Sequence, residues 1–361
     1  MINNLIVLLK YEYFIKNIPV PTSFFYICLM SIISVKQNIG TPKYKQIVLS
    51  IEDGLTKGVL KKGDKLPSIN NIRDNFSLSR DTVLTAFNEL KTRGIVESIS
   101  GKGYYIKSEN ITVSKKIFLL FDELNTFKEN LYNSFLNGLN SSIQVDIFFH
   151  HFNFDVFRNL IYDSIGNYNS YIIMPANLNQ AEKVINKLPS DKVYILDQTH
   201  TRLKQYPAIY QNFEEDIFNS LIEAKPLIVK YNKIVLLFPD KKQPQGMLNG
   251  FQKFRRATEI SDEIIMTLKD RIPKKGEAYL ILDDQSLILL IKKIKTEKLI
   301  LGKDVGIISY NDTLLKEIVE GGITTISTDF KQMGKRLAQM IINKENLKIE
   351  NPNALIIRKS L

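Results

Sequence analysis

Four consecutive residues, Ser79-Arg80-Asp81-Thr82, place two hydroxyls, a guanidinium and a carboxylate directly before an apolar stripe. Arginine can donate two parallel hydrogen bonds to the O6 and N7 atoms of guanine or can clamp a phosphate, and serine and threonine hydroxyls can reach phosphate oxygens. Ser79 is also a favourable N-cap, which would place all four residues at the start of a helix. The alternative is that Arg80 is an ordinary surface arginine paired with Asp81 or Glu89. Because spacing and context agree, this helix end is predicted to enter the major groove of duplex DNA.

The flanking sequence predicts the elements that would present this helix end. Apolar residues at helical spacing predict a first helix over 42–60, Ser68 can cap a second over 69–76, and the third stops at Gly94. Strands are predicted over 95–99 and 104–107, around a turn with two glycines. Lys102 at its tip would approach the minor groove or its phosphates, or would simply keep the turn soluble. Three helices and a hairpin make a winged helix-turn-helix, whose candidate DNA contacts are Ser79, Arg80, Asp81, Thr82 and Lys102, with Arg73 and Lys91 as weaker contacts to the backbone.

The composition is that of a globular protein with a polyanionic partner. The 361 residues suffice for two or three domains, and 44% hydrophobic with 24% charged residues is neither a disordered nor a membrane composition. The net charge of +11 favours nucleic acid, although an ordinary basic surface would have the same sign. The single cysteine, Cys28, cannot form a disulfide within the chain, which suits a reducing cytoplasm.

Residues 1–40 are predicted to be an N-terminal extension with two apolar runs, at 5–9 and 24–33. Neither run reaches the ~18–20 apolar residues that span a bilayer. The positive charges follow the first run rather than precede it, unlike a secretory signal. We therefore expect no membrane association. Two origins stay open: a structured extension, or a start codon assigned too early, with Met30 as the true beginning.

After a polar linker over 108–115, residues 116–361 alternate short apolar strands with amphipathic helices. This alternation predicts parallel sheets covered on both faces, and the length of ~245 residues fits two lobes better than one. The run 206–213 is predicted to cross between the lobes, whose cleft would bind a small molecule. Strands are predicted over 116–121, 144–149, 171–174, 192–196, 233–238, 278–282 and 305–309, and helices over 129–139, 156–165, 180–188 and 286–294.

Three motifs follow one another in the N-terminal part: Pro42-Lys43-Tyr44-Lys45-Gln46-Ile47, then Leu66-Pro67-Ser68, then Leu78-Ser79-Arg80-Asp81-Thr82-Val83. Over residues 41–107 they resemble the DNA-binding domain of the GntR family of bacterial transcription regulators. The resemblance implies a homodimer on a palindromic operator, and it adds Ser68 and Gly103 to the candidate DNA contacts. Two positions depart from the family pattern. Asn70 stands where a phosphate-binding arginine is common and would replace it, and Leu84 stands where a second arginine is usual.

The C-terminal part carries a second, looser resemblance. The run 301–313 ends in Ser309-Tyr310-Asn311-Asp312-Thr313, followed by Ile323-Thr324-Thr325-Ile326 and Met333-Gly334. These motifs resemble the effector domain of LacI-type repressors, which is related to periplasmic binding proteins. The implied fold is an N-terminal winged helix-turn-helix (α+β) joined to a bilobed α/β periplasmic-binding-protein-like domain with parallel sheets. The resemblance implies effector contacts at Asp283, Asn311 and Thr328, with Met247 where an arginine is common, and the effector would be a sugar, a phosphorylated sugar or an unrelated molecule.

Two further residues of the crossing, Gln211 and Asn212, would either line the cleft or cap the helix that follows it. Gln211 is taken as a candidate effector contact.

Catalytic and metal chemistry have little support in the sequence. His150 and His151 are adjacent in or beside a strand and would point to opposite faces, so no metal site is predicted. Asp197 and His200 could belong to a hydrolase triad, but the sequence has neither a Gly-x-Ser-x-Gly elbow nor a phosphate-binding loop. We therefore predict a cytoplasmic, ligand-responsive transcription regulator that is not an enzyme and needs no cofactor. The alternatives are a DNA-binding head on an enzyme-like body, such as an aminotransferase-like domain with pyridoxal phosphate, and a small-molecule-binding protein with a degenerate head.

Overall fold

The computed structural model describes residues 32–36, 41–113, 115–239 and 243–361. Most of the predicted N-terminal extension, including Cys28 and Met30, lies outside the described residues. Contacts divide the chain into two compact units: the first extends to Ile117 and includes 141–144 and 164–169, and the second comprises the remainder. Within the described ranges, every helix is too short or too polar to cross a bilayer.

The first unit has three helices and an antiparallel hairpin, in the order predicted for a winged helix-turn-helix. Its elements are α1 (Lys43–Thr56), α2 (Ile69–Phe76), α3 (Arg80–Thr92), β1 (Val96–Ile99) and β2 (Gly103–Ile106). Their apolar faces meet in one core, in which Phe87 of α3 is fully buried and its ring centroid lies 4.5 Å from that of Tyr104 in β2. Ile33 also belongs to this core. The core holds α3 by its apolar side and leaves the polar side of its first turn outside.

The rest of the chain is built on two six-stranded, mostly parallel sheets. The N-sheet has the order β13-β7-β6-β5-β3-β4 and the C-sheet the order β14-β12-β11-β10-β8-β9. The strands are β3 (Lys115–Phe121), β4 (Ile143–Phe149), β5 (Ser170–Ile173), β6 (Val193–Asp197), β7 (Ala208–Tyr210), β8 (Lys233–Leu237), β9 (Asp262–Ile265), β10 (Glu277–Ile281), β11 (Val305–Tyr310), β12 (Thr324–Thr328), β13 (Lys348–Glu350) and β14 (Asn353–Ile356). The helices are α4 (Thr126–Asn137), α5 (Phe154–Ser164), α6 (Ala181–Ile185), α7 (Phe213–Ile228), α8 (Gln245–Ala257), α9 (Asp284–Thr296), α10 (Leu314–Ile318) and α11 (Phe330–Asn343).

The chain passes between the two sheets after β7, after β12 and after β13. The first passage falls within the predicted crossing over 206–213. Asn351, which is 3% exposed, joins the three passages: its amide N–H donates to the Tyr210 carbonyl at 2.8 Å, and its side chain donates to the Asp329 carbonyl at 3.1 Å. Parallel strands present their carboxyl ends at one edge of a sheet, which is where open α/β sheets bind ligands.

Candidate DNA interface and ligand cavity

The first turn of α3 presents the predicted DNA-reading residues at the surface. Arg80 and Asp81 are exposed, and within the described residues nothing pairs with the Arg80 guanidinium. Glu89, a partner that would explain Arg80 as a purely structural residue, is instead held by Lys45 at 2.7 Å. Ser79 caps the helix: its Oγ accepts from the Thr82 amide at 3.1 Å and lies 2.8 Å from Thr82 Oγ1. The cap therefore fixes the helix end and leaves the guanidinium available.

The start of α2 and the hairpin tip hold the other predicted contacts. Ser68 caps α2 by accepting from the Asn71 amide at 3.2 Å, and Asn70 beside it is exposed. Arg73 forms an ion pair with its neighbour Asp74 at 2.7 Å. Lys102 is exposed at the tip between Gly101 and Gly103, whose φ angles of 71° and 107° are accessible to glycine at little cost. The tip can therefore approach another molecule closely.

Arg93, which sequence reasoning did not single out, ties α3 to the segment after the hairpin. Its side chain is 9% exposed and forms an ion pair with Glu52 of α1. Its Nε donates to the Val113 carbonyl at 2.8 Å and its Nη2 to the Ile111 carbonyl at 3.1 Å. These partners lie 20 and 18 residues downstream, so no local pattern could reveal them. Residues 111–113 of the predicted linker are thereby fixed to the winged domain.

A cavity of about 640 Å³ lies in the second unit, at the carboxyl ends of strands from both sheets. We call this cavity the inner compartment. The residues that line it follow or end β3, β4, β6, β7, β8, β10 and β11. A neighbouring side compartment of about 740 Å³ shares part of the lining. The residues common to both are Gln198, Gln211, Phe213, Gln243 and Pro244.

Four of the five predicted effector contacts line the inner compartment: Gln211, Met247, Asp283 and Asn311. Met247 is 3% exposed and packs in the apolar core of the C-sheet. Asp283 caps α9, where one carboxylate oxygen accepts from the Ser286 amide at 2.8 Å. Thr328 is not part of the lining but donates to Gln211 Oε1 at 2.7 Å. The structure thus places Thr328 behind a lining residue.

Gln211 is the centre of a buried hydrogen-bond network that joins the two sheets. Its Nε2 donates to Asp197 Oδ1 at 2.5 Å, and its Oε1 accepts from the Tyr310 hydroxyl at 3.0 Å and from Thr328. Asn212, the other candidate in this segment, caps α7 by accepting from the Glu215 amide. Gln211 lines both compartments, whereas Asn212 caps the helix and also lines the side compartment.

Asn311 presents an unsatisfied acceptor in the lining. Its φ of 59° lies in the left-handed region, and its Oδ1 is buried without a hydrogen-bond partner. The backbone around it is fixed by Lys316, which is 3% exposed and donates to the carbonyls of Tyr310 and Asn311 at 2.8 Å each. On the other side, Arg358 binds both oxygens of Asp312, at 2.7 and 2.8 Å. The backbone at Asn311 is therefore held rigidly by its neighbours.

A buried ion pair between Asp122 and Lys128 forms another part of the lining. Sequence reasoning missed it, although Asp122 directly follows β3 just as Asn311 directly follows β11. His150 is fully buried behind this pair, with Nε2 3.1 Å from the Met174 carbonyl, and burial lowers its pKa. His151 is exposed, and in the described ranges no three His, Cys, Asp or Glu side chains are grouped as metal ligands.

Comparison with known proteins gives one match for each part of the chain. Residues 43–106 match the family described as bacterial regulatory proteins, gntR family, and residues 229–361 match the periplasmic binding protein-like domain. A match of this kind to the C-terminal part leaves an aminotransferase-like body without support.

Three known proteins illustrate these similarities. The HTH-type transcriptional repressor YtrA of Bacillus subtilis is 31% identical over 32% of this chain and 84% of the relative. The arabinose metabolism transcriptional repressor of Geobacillus stearothermophilus is 22% identical over 89% of this chain and 96% of the relative. The crystal structure of a LacI family transcriptional regulator from Enterococcus faecium with bound ribose has a TM-score of 0.56 at 16% identity, and the match covers 68% of this chain and 98% of that one. That likeness establishes the fold of the C-terminal part.

Proposed function

This chain belongs to the gntR family of bacterial regulatory proteins, and from that premise we propose that it is a transcription regulator that binds a specific duplex sequence and responds to a small molecule. It would act in the cytoplasm, where the DNA is, and no catalytic step is assigned to it. The observation that carries the proposal is the presence, in one chain, of an exposed α3 end, whose Arg80 has no partner among the described residues, and of a polar cavity at the strand ends.

The first turn of α3 is proposed to read the operator. Arg80 would donate to guanine O6 and N7 or to a phosphate, and Asp81 beside it would accept from a base amine, because a carboxylate is repelled by phosphates. Ser68, Asn70, Ser79 and Thr82 would contact the sugar-phosphate backbone, as would Arg73. Lys102 and Gly103 would bring the hairpin tip to the minor groove.

A carbohydrate is the proposed class of effector. A full-length relative is named an arabinose metabolism repressor, and a protein of the same fold has been solved with ribose. The lining is consistent with such a ligand, because several carboxylates and amides surround the cavity. Groups of this kind hydrogen-bond hydroxyls.

A second copy of this chain is the proposed partner on DNA. Within the second unit, α10 exposes apolar side chains, with Leu314 81% and Ile318 74% exposed, and α9 exposes Ile288 and Leu289. Large exposed apolar side chains of this kind are typical of an interface. A homodimer would bring two recognition helices to half-sites ~34–36 Å apart, or a multiple of that distance.

The proposed mechanism is a shift between two populations. An effector bound at the strand ends of both sheets binds one arrangement of the lobes more tightly than the other. The difference between these two affinities sets how far the populations of the two arrangements shift. Because both half-sites must be engaged together, a small change in helix spacing would alter operator affinity strongly.

The test begins with selection of bound sequences from a random duplex library, followed by titration of the selected operator. Replacing Arg80 by alanine should weaken operator binding by about 1–3 kcal/mol and relax the preference at one position of each half-site. The matched control is Lys57→Ala at the end of α1, where the side chain is 65% exposed and paired with Asp53. Unchanged operator affinity in Arg80→Ala, or an equal loss in Lys57→Ala, would contradict the assignment of α3 as the reading helix.

A further inference from the structure

The charges that line the inner compartment are predominantly negative, in contrast to the net charge of +11 of the whole chain. Two of the carboxylates are neutralised: Asp122 by Lys128, and Asp284 by Lys316 at 2.8 Å. The three others, Glu123, Asp197 and Asp283, form no ion pair in the part of the chain that the structure describes. Lys128 nevertheless lies near enough to act on Asp197, and Lys316 near enough to act on Asp283.

The side compartment has the same imbalance. Its arginine, Arg202, is paired with Glu182 at 3.1 Å, while Glu214 has no cationic partner among the described residues. Burial lowers the pKa of His200, which keeps that ring neutral near pH 7. Every cation in the described lining is therefore already paired, and four carboxylates are not. Residues 240–242 lie outside the described residues and are not counted in this balance.

The helix N-termini at the cavity are poorly suited to an anion. A free helix N-terminus attracts phosphate and carboxylate groups. Here α4 is capped by Asn125, which accepts from the Lys128 amide at 3.1 Å, and α9 is capped by the carboxylate of Asp283. Another helix, α8, begins directly after Pro244, and Glu214, in the first turn of α7, lines the compartment beside it. An anionic ligand would thus meet carboxylates where it needs donors.

Asp197 is the buried member of this unpaired set. It is 5% exposed, ends β6 with a φ of 74°, and its carboxylate accepts from Gln211. Burial raises its pKa, and the nearest lysine, Lys128, is committed to Asp122. A buried carboxylate without a cation is unfavourable. A positive charge placed in the cavity would relieve that cost.

Building on the proposed function, we infer that the cavity selects an effector that carries a protonated amine beside its hydroxyl groups, such as an amino sugar, and rejects phosphorylated sugars. The amine would lie against Asp197, with Glu123 and Asp283 contributing to the negative potential. The hydroxyls would bind the side-chain amides of the lining.

The test measures binding of matched sugars to the full chain by calorimetry, below about pH 7, where the amines are protonated. The probes are glucosamine, galactosamine and mannosamine, each with its parent sugar, its N-acetyl derivative and the 6-phosphate of the parent. We expect at least one amine to bind at least ~10-fold more tightly than its parent and its N-acetyl derivative, because a charge-assisted hydrogen bond replaces a neutral one. Tighter binding of a phosphate, equal binding of a neutral sugar, or no binding by any amine overturns the inference. Release of the operator by a neutral or phosphorylated sugar would also overturn the inference. That result would nevertheless support the proposed function.

Asp197→Asn tests the residue itself. Asparagine can accept from Gln211 in the same way and tolerates positive φ, so the variant is expected to fold. The preference for the amine over its N-acetyl derivative should fall ~10-fold or more, in line with the lost charge. Asp191→Asn, an exposed aspartate in the turn before β6, is the control and should keep the preference. Retention of the preference in Asp197→Asn would refute the assignment of this carboxylate.

Discussion

Replacing Asp216 with asparagine should stabilise the chain at neutral and alkaline pH. Asp216 lies in the first turn of α7, is 8% exposed, and has one carboxylate oxygen buried without a hydrogen-bond partner. Burial, with the nearby negative charges of Glu350 and Glu215, raises its pKa from 3.8 to about 7. No described lysine, arginine or histidine forms an ion pair with it. The folded chain therefore holds an uncompensated charge at this position once the proton is lost.

The sign and size of the effect follow from the two pKa values. In the unfolded chain the carboxyl loses its proton near pH 3.8, but in the folded chain it does so only near pH 7. Between these values the folded state binds more protons, so the free energy of unfolding falls as pH rises through the window. A difference of about 3 pH units corresponds to a loss of about 4 kcal/mol, complete above about pH 7. Asparagine avoids the charge but leaves a buried polar group, so the net gain should be about 2–4 kcal/mol.

The measurement is urea unfolding of both proteins at about pH 5 and about pH 8, with the free energy extrapolated to water. The variant should lose less stability between the two pH values than the wild type, and the gain should shrink at the lower pH. Asp270→Asn, at an exposed position of the same unit, is the control and should leave the pH dependence unchanged. Parallel pH profiles for wild type and Asp216→Asn would show that this carboxyl is ionised in the folded chain at ordinary pH, against the reasoning.

Two other substitutions test the packing that positions the DNA-binding domain and the cavity. Arg93→Ala should destabilise the first unit by about 3–5 kcal/mol in urea unfolding, because it leaves the largely buried Glu52 carboxylate unpaired. Arg73→Ala, which removes an exposed ion pair, should cost no more than about 1 kcal/mol. Similar losses in the two variants would mean that burial does not decide the strength of these pairs. Gly250→Ala should lower the thermal midpoint of the second unit, at a cost of about 1–3 kcal/mol, because the new methyl group would overlap the Glu214 carbonyl oxygen. Gly246→Ala, one turn earlier with a nearest contact of 3.0 Å, should cost less, and the reverse order would refute the packing argument.

The winged domain could be predicted almost completely from the sequence. The predicted second helix, 69–76, has the bounds found in the structure, and the third starts within one residue of its predicted position. The signals are local: Ser68 and Ser79 each bond an amide three residues away, and two glycines bracket the hairpin tip. The seven strands predicted in the second part are all present, with each end shifted by at most one residue. Five further strands were not predicted as strands. Of these, β7 and β13 have only three residues each, and polar residues interrupt the apolar pattern of β9, β12 and β14.

The candidate site was only partly predictable. Asp283 and Asn311 follow strands that the apolar pattern reveals, so their position at a sheet edge was predictable. The ion pair of Asp122 with Lys128 joins a strand end to the first turn of a helix and lines the same edge, yet nothing in the local pattern distinguishes it from a surface pair. Arg93 likewise has partners that only the folded chain brings within reach.

The sequence by itself therefore determined the DNA-binding head, the alternation of strands and helices and the overall positive charge, because these depend on spacing along the chain. The tertiary structure decided which charges face the cavity. Gln211 joins Asp197, Tyr310 and Thr328, residues separated from it by 14, 99 and 117 positions. The described lining of the cavity is acidic, although the chain is basic, because the fold pairs the lysines and the arginine near it with some carboxylates and leaves others without an ion pair. That selection depends on three-dimensional distances and burial, which composition and periodicity do not contain.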